Sequence, residues 1–206
     1  VPDSFLAGVP LELGNPDGSA PGSNDWSCRP SDAHPEPVVL VHGTGGARQT
    51  NWAVYAPLLP NEGYCVYSLT YGNFPDLPWP LDAIGGMTPI DTGTAQIAAF
   101  VDRVLASTGA AKVDLVGHSQ GTVQANNYVK FFGGADKVAK IVSLAPPWQG
   151  TYGNDQISAG RFLRSLGVDD AVAAGFPVCQ ACPEMLQGSK FIDRMRAGGV
   201  YVPGIE

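Results

Sequence analysis

The feature that most constrains this chain of 206 residues is the pentapeptide G-H-S-Q-G at positions 117–121. It ends a strand predicted over 113–117 and opens a helix predicted over 120–132, so it lies at a sharp strand-to-helix turn. In that context a G-x-S-x-G sequence presents its serine as a nucleophile, and the glycines avoid collisions with neighbouring backbone. The pattern predicts Ser119 as a nucleophile on a strained turn. The alternative is an ordinary loop in which Ser119 only caps the helix.

Short apolar runs alternate with segments of helical periodicity through the middle of the chain. Strands are predicted at 37–42, 64–69, 113–117 and 138–144, and helices at 51–59, 94–107 and 120–132. Strands separated by helices are typical of βαβ units and therefore of a mainly parallel sheet. The expected fold class is α/β.

The regions on either side of these elements are less periodic. Residues 1–36 are rich in Pro, Gly, Ser, Asn and Asp, and we interpret them as an N-terminal arm. Residues 37–206 are interpreted as one core, including a cap-like segment at 151–200 with further helical spacing at 157–173 and 184–197. Several prolines between 70 and 93 predict a long loop, of the kind that often carries function.

A second glycine-rich motif, H-G-T-G-G at 42–46, follows the first predicted strand. In a strand–turn–helix hydrolase site, this loop and the residue after the nucleophile each supply a backbone N–H to the oxyanion hole. We therefore assign those donors to Thr44 and Gln120. A phosphate cradle is the alternative for the loop, but the motif lacks both the G-K-[ST] ending and the G-x-G-x-x-G spacing. Thr44 as a simple turn residue stays open.

The four cysteines lie at positions 28, 65, 179 and 182. A C-x-x-C pair can be a redox motif, but no strand–helix turn is predicted around Cys179 and Cys182. A zinc site would need more ligands nearby, and all three histidines lie at or before His118. We predict two disulfides, Cys28–Cys65 and Cys179–Cys182, and therefore export to an oxidising compartment.

Composition excludes several partners. The net charge of −7 argues against nucleic acid or an anionic membrane as the main partner. The sequence has no apolar run of the roughly 18 residues that a transmembrane helix needs. It begins with Val1 and shows no signal peptide at that end, so we expect a processed or trimmed chain.

Taken together, three stretches of the sequence resemble the secreted class 2 triacylglycerol lipases of actinobacteria and, more distantly, Candida antarctica lipase B. They are V-H-G-T-G at 41–45 with N-W at 51–52, the 117–121 pentapeptide, and S-L-A-P at 143–146 with G-T at 150–151. The resemblance implies an α/β-hydrolase fold, a Ser-His-Asp triad, no cofactor and no metal. It also implies a lipid ester substrate at an oil–water interface, a secreted bacterial protein, and the pairing of Cys28 with Cys65.

One departure from the family pattern stands out. In this fold the triad acid and histidine follow the nucleophile along the chain, yet no histidine follows His118. We expect that the sequence ending at Glu206 lacks its triad Asp and His, and that further strands pair beyond 138–144. His42 and His118 are expected to be structural. A complete chain without a triad is the alternative.

The predicted function is hydrolysis of lipid carboxylic esters through an acyl-enzyme on Ser119. Alternatives within the same chemistry are a carboxylesterase, a cutinase-like polyester hydrolase or an acyltransferase. From a different class, the chain could be a non-catalytic lipid-binding relative of a hydrolase.

Overall fold

A parallel sheet of four strands forms the centre of the computed structural model, which describes residues 7–151 and 179–206. The strands are β1 (Val38–Val41), β2 (Val66–Ser68), β3 (Val113–His118) and β4 (Val138–Leu144). They lie in the order β2-β1-β3-β4, and every neighbouring pair is parallel. The predicted parallel sheet is confirmed. Because parallel strands end at the same edge, the loops that follow β1 and β3 meet there.

Six helices lie within the described residues. They are α1 (Gly8–Gly14), α2 (Tyr55–Asn61), α3 (Ile90–Thr108), α4 (Gln120–Phe131), α5 (Ala181–Glu184) and α6 (Lys190–Arg196). The helices α3 and α4 contain the spans predicted from periodicity to within a few residues. Helix α2 begins later than predicted, because residues 51–54 are not helical and residues 53–54 form a turn. The helix predicted at 157–173 lies outside the described residues.

One face of the sheet packs against α3 and α4. Val39 of β1 lies directly opposite Leu115 of β3, and both side chains are fully buried. Ile97 and Val101, one turn apart on α3, and Tyr128 on α4 belong to the same buried cluster. Burying such side chains contributes about 1.5–3 kcal/mol each. This layer packs α4 against β3, the strand that leads into it.

The opposite face is covered by α2 and by part of the N-terminal segment. Val38 and Leu40 point to this side and are buried with Trp52 and Ala56. Ala20 completes the cluster from the N-terminal segment. Alternating residues of β1 therefore face two different cores, as expected for a strand buried on both sides.

The N-terminal segment, which the sequence analysis interprets as an arm, contains the short helix α1 and is hydrogen-bonded to the core. Glu12 on α1 is buried and accepts a hydrogen bond of 2.8 Å from Gln49 Nε2. The side chain of Asn24 binds the outer edge of β2: Ser68 N donates to Asn24 Oδ1 at 2.9 Å, and Asn24 Nδ2 donates to Ser68 O at 3.0 Å. The sequence did not predict α1, because the side chain that binds it, Gln49, lies far along the chain.

Both predicted disulfides are present. Cys28 bonds to Cys65, with their Cα atoms 5.8 Å apart, and so links the N-terminal segment to the entry of β2. Cys179 bonds to Cys182 at the start of α5. No cysteine in the described part of the chain is free.

The helix predicted at 184–197 forms only over its second part, as α6, because α5 ends at Glu184 and residues 185–189 are not helical. Gly188 has a φ of 76°, and Ser189 then caps α6 by accepting a hydrogen bond from Ile192 N at 3.1 Å. An ion pair of 2.6 Å between Arg194 and Asp91 ties α6 to the first turn of α3.

Strand β4 is the outermost strand of the described sheet. Its free side contacts Glu206, whose N–H donates to Ala139 O at 3.0 Å and whose carbonyl accepts from Ile141 N at 2.8 Å. Val142 is 49% exposed. The strands expected after Glu206 stay a prediction.

Candidate active site

Ser119 occupies a strained turn between β3 and α4. Its φ of 51° and ψ of −118° lie in a region that residues with a side chain rarely adopt. Its backbone N–H donates to Leu144 O at 2.9 Å, which fixes the turn against the end of β4. The predicted strained turn is confirmed. Such conformations cost on the order of 1–3 kcal/mol and persist where the surrounding structure enforces them.

The glycines of the pentapeptide allow the backbone to approach closely at this turn. A Cβ at Gly117 would lie 2.7 Å from the carbonyl carbon of Gly121, and a Cβ at Gly121 would collide with Val41 O. Across the site, a Cβ at Gly43 would lie 3.1 Å from Ser119 Cβ. The loop after β1 therefore crosses directly beside the predicted nucleophile.

In the described part of the chain, the backbone N–H groups of Thr44 and Gln120 have no hydrogen-bond acceptor. Gln120 is the first residue of α4, so its N–H has no acceptor within the helix. Within the described residues, Thr44 N–H has no hydrogen-bond acceptor either, although the neighbouring Gly45 and Gly46 do form backbone bonds. The positive end of the α4 dipole adds to the attraction for a negative charge here. One of the two predicted oxyanion donors thus lies in the loop after β1 and the other at the first residue of α4, directly after Ser119.

The long loop at 69–89 is hydrogen-bonded to the loop that carries Thr44 and fixes its position. Gly45 N donates to Gly85 O at 2.9 Å, and Gly85 N donates to Gly46 O at 2.9 Å. Gly46 N also closes a turn onto Gly43 O at 3.0 Å. These three bonds restrict the backbone on both sides of Thr44.

His42 is a structural residue. It is completely buried, its Nδ1 lies 2.8 Å from Gly43 O, and its Nε2 accepts a hydrogen bond of 3.2 Å from Tyr71 N. Burial lowers the pKa of His42 to about 4. A neutral imidazole with the hydrogen on Nδ1 satisfies both contacts, so neither nitrogen is available to receive a proton from Ser119.

The other two histidines are also engaged. His118 Nδ1 lies 3.1 Å from Asn51 Oδ1, and burial lowers the pKa of His118. His34 of the N-terminal segment packs against Tyr64 with its ring tilted, and the ring centroids are 3.8 Å apart.

Sequence reasoning missed the side chains that brace this site. Tyr71 and the side chain of Gln120 form a buried hydrogen bond of 3.0 Å. Gly86 accepts a bond of 3.1 Å from Gln120 Nε2 through its carbonyl. The long loop gave no periodic signal that could have identified Tyr71 or Gly86, whereas Asn51 was at least part of a recognised motif.

The apolar side chains near this edge form a third buried cluster. Met87, Ile90 and Val123 are buried there against residues of α5 and α6, and Phe74 and Trp148 pack at its margin. In the residues that the structure describes, no helix is both long and apolar enough to cross a membrane. In the same residues, no three His, Cys, Asp or Glu side chains are grouped so that they could hold a metal ion.

Comparison with known proteins gives consistent matches. A family model described as Lipase (class 2) matches residues 35–201. A triacylglycerol lipase of Pseudarthrobacter phenanthrenivorans is 29% identical over 145 residues, which cover 68% of this chain and 42% of that protein. A triacylglycerol lipase of Burkholderia plantarii is also 29% identical, over 68% of this chain and 37% of that protein. The chain therefore spans about two fifths of the length of these curated relatives.

Solved structures agree on the fold. The mature form of Bacillus licheniformis lipase BlEst2 superposes with a TM-score of 0.58 at 18% identity, covering 85% of this chain and 63% of that one. Aspergillus fumigatus lipase B superposes with a TM-score of 0.59 at 16% identity, covering 88% of this chain and 37% of that one.

Proposed function

This chain belongs to the class 2 lipase family and has the α/β-hydrolase fold, and on that premise we propose that it hydrolyses the carboxylic esters of lipids through an acyl-enzyme on Ser119. The observation that carries the proposal is the strained Ser119 turn directly beside a loop whose Thr44 N–H has no acceptor among residues 7–151 and 179–206. Ser119 is the nucleophile, and the N–H groups of Thr44 and Gln120 are the oxyanion donors.

The reaction proceeds in two halves. Ser119 Oγ attacks the ester carbonyl carbon while its proton passes to a general base, and the carbonyl oxygen becomes an oxyanion bound by the two N–H groups. The C–O bond to the alcohol then breaks, and the alcohol leaves with that proton. Water attacks the acyl-enzyme in the same way and releases the fatty acid. Each oxyanion donor contributes about 3–4 kcal/mol in comparable sites.

The general base is a separate question. We propose that none of the three histidines of these 206 residues is the base, because His42 is neutral and bonded at both nitrogens and His118 Nδ1 faces Asn51. His34 lies in the N-terminal segment. With the oxyanion donors but without a base, the 206 residues are expected to retain only about 10³–10⁴-fold acceleration over water.

Chemical rescue tests both parts of this proposal. The 206-residue chain is assayed with a nitrophenyl ester, a short-chain triglyceride and a long-chain triglyceride, with and without added imidazole. We expect slow hydrolysis that imidazole accelerates, and no acceleration in the Ser119→Ala control. A fluorophosphonate should label the parent chain faster in imidazole and leave the control unlabelled.

Other outcomes would point elsewhere. Equal rates for the parent chain and Ser119→Ala, with no labelling, would favour a non-catalytic lipid-binding protein. Ordinary lipase rates without imidazole would mean that a base is present, and His118→Gln would be the first variant to make. Preference for the short-chain substrates would favour an esterase over a lipase.

We further propose that the protein acts outside the cell at a lipid surface. Its two disulfides are suited to an oxidising compartment, and its net charge of −7 disfavours anionic surfaces. Thiol titration of protein recovered from culture medium should detect no free cysteine before reduction and four after it.

A further inference from the structure

Tyr71 forms a rigid pair with His42 directly beneath the loop that carries Thr44. Both side chains are fully buried, and their rings stack with centroids 4.2 Å apart and an angle of 17° between the planes. Tyr71 N donates to His42 Nε2 at 3.2 Å, and His42 Nδ1 lies 2.8 Å from Gly43 O. The backbone of Tyr71 is therefore connected through the His42 imidazole to the loop at 42–46, which we call the oxyanion loop.

The phenol of Tyr71 reaches both halves of the proposed oxyanion hole. Its oxygen lies 2.7 Å from His42 O, at the start of the oxyanion loop, and 3.0 Å from Gln120 Oε1. A phenol has one hydrogen, so these two buried acceptors share it. Removing the hydroxyl would leave both acceptors without this donor.

Gly86 closes the arrangement from the opposite side. Gln120 Nε2 donates to Gly86 O at 3.1 Å, and Gly86 N donates to Tyr71 O at 2.7 Å. Gly86 has a φ of 69°, and a Cβ there would lie 2.5 Å from Gln120 Oε1 and 3.1 Å from Thr44 Cα. The three residues form a closed ring of hydrogen bonds, and Thr44 packs against it.

We infer that Tyr71 is a positioning residue: its phenol sets the relative placement of the Thr44 and Gln120 N–H groups by holding His42 O and the Gln120 side chain together. The inference rests on the proposed function for the role of those N–H groups. Tyr71 is buried below the loop and touches no reacting atom. The side chain of Gln120 is likewise directed into the protein, so its contribution is to anchor the backbone that carries the donor.

Placement matters because oxyanion donors act only over a narrow distance. They must lie about 2.7–3.1 Å from the position that the oxyanion will occupy. A displacement of about 1 Å can lower a rate by roughly 10²-fold. Groups that bind only the transition state affect kcat and kcat/KM together and leave KM nearly unchanged.

The test compares Tyr71→Phe with Tyr67→Phe. Tyr67 is also fully buried, and its hydroxyl also donates to a backbone carbonyl, that of Asp25 at 3.1 Å, but in the N-terminal segment. We expect Tyr71→Phe to lower kcat by about 10- to 10²-fold with little change in KM, and Tyr67→Phe to leave both unchanged. Imidazole is present in every assay, so that proton transfer is supplied equally.

A double variant distinguishes positioning from general damage. If Tyr71 acts through the Gln120 side chain, Tyr71→Phe combined with Gln120→Met should lose no more activity than Gln120→Met alone. Additive losses would overturn the route through Gln120. If Tyr71→Phe fails to fold, Gly86→Ala disturbs the same ring from the other side and should give the same kcat loss at unchanged KM.

Amide NMR decides the inference without any catalysis. In Tyr71→Phe the ¹H–¹⁵N signals of Thr44 and Gln120 should shift or broaden, while in Tyr67→Phe they should coincide with those of the parent chain. Unmoved signals together with an unchanged kcat would overturn the positioning role. If the parent chain and Ser119→Ala show equal rates, the proposed function fails, and the amide signals still report whether Tyr71 sets the geometry.

Discussion

The amide oxygen of Asn51 lies 3.1 Å from Nδ1 of His118, the residue immediately before the proposed nucleophile. The same oxygen accepts a hydrogen bond of 3.3 Å from Gly43 N, in the loop that follows β1. One buried side chain therefore connects the Ser119 turn to the loop beside it.

Replacing Asn51 should loosen that connection. We expect Asn51→Ala to lower the free energy of unfolding by about 1–3 kcal/mol, because the buried Gly43 N–H loses its acceptor. The ester hydrolysis rate with imidazole should also fall. Asn73→Ala is the matched control, since it removes a hydrogen bond of 2.8 Å to Asp82 O within the long loop. Urea unfolding and the rescued rate measure both effects, and equal rate losses in the two variants would contradict this role of Asn51.

The strain at Ser119 predicts that a variant which relieves it is more stable but loses its reactivity. Glycine adopts a φ of 51° without steric cost, so Ser119→Gly should relieve strain of about 1–3 kcal/mol, less the ~0.5–1 kcal/mol that glycine costs in chain entropy. We expect a net stabilisation of about 1 kcal/mol together with complete loss of fluorophosphonate labelling. Ser119→Ala, which keeps a Cβ, should lose labelling without the gain in stability. Thermal unfolding of the two variants compares them directly.

Burial of His42 predicts a stability that depends on pH. The pKa of His42 is lowered to about 4 in the folded protein, so between pH 4 and about 6.5 the unfolded chain binds more protons than the folded one. The contribution of His42 to stability should therefore rise from pH 4 to 6.5, by up to about 3 kcal/mol. Urea unfolding of the parent chain and His42→Gln across this range isolates the contribution, which the variant should lack.

Asp114 acts in the opposite direction over part of the same range. Burial and the nearby Glu36 raise the pKa of Asp114 to about 6, so the folded protein binds the extra proton between pH 4 and 6. Its contribution to stability is present below about pH 4 and is lost as the pH rises through 6. Because Asp114 is common to both proteins, the difference between the parent chain and His42→Gln cancels it. A difference that does not vary with pH would contradict the neutral state of His42.

The disulfide between Cys28 and Cys65 should contribute more to stability than the one between Cys179 and Cys182. The first closes a loop with a sequence separation of 37 and the second a loop with a separation of 3. On the chain-entropy model the longer loop contributes about 3–4 kcal/mol. We expect the Cys28→Ala/Cys65→Ala double variant to unfold at a clearly lower temperature than Cys179→Ala/Cys182→Ala. Equal melting temperatures for the two would indicate that the unfolded chain is already compact around the first pair.

Local sequence was sufficient to predict the strands, the helices α3 and α4, and the strained turn at Ser119. These features depend on neighbours within a few residues: the apolar run of β3, the two glycines at 117 and 121, and the helical spacing that follows. The start of α6, which lies later than the predicted residue 184, was also encoded locally, because Ser189 is an ordinary helix N-cap and follows a glycine. That boundary was missed although its signal was present.

The sequence by itself determined the strained turn at Ser119, the parallel sheet and the two glycine-rich loops, because each is specified by sterics and periodicity over a short span. Only the tertiary structure decided what holds the site together. Tyr71, Gly86 and Asn51 meet Gln120 and Gly43 across separations of 8 to 49 residues. Their contacts arise because the parallel sheet brings the ends of β1, β2 and β3 to one edge. A lone tyrosine or asparagine in a loop carries no local pattern that reveals such a partner, since the hydrogen bond exists only after the distant strand has paired.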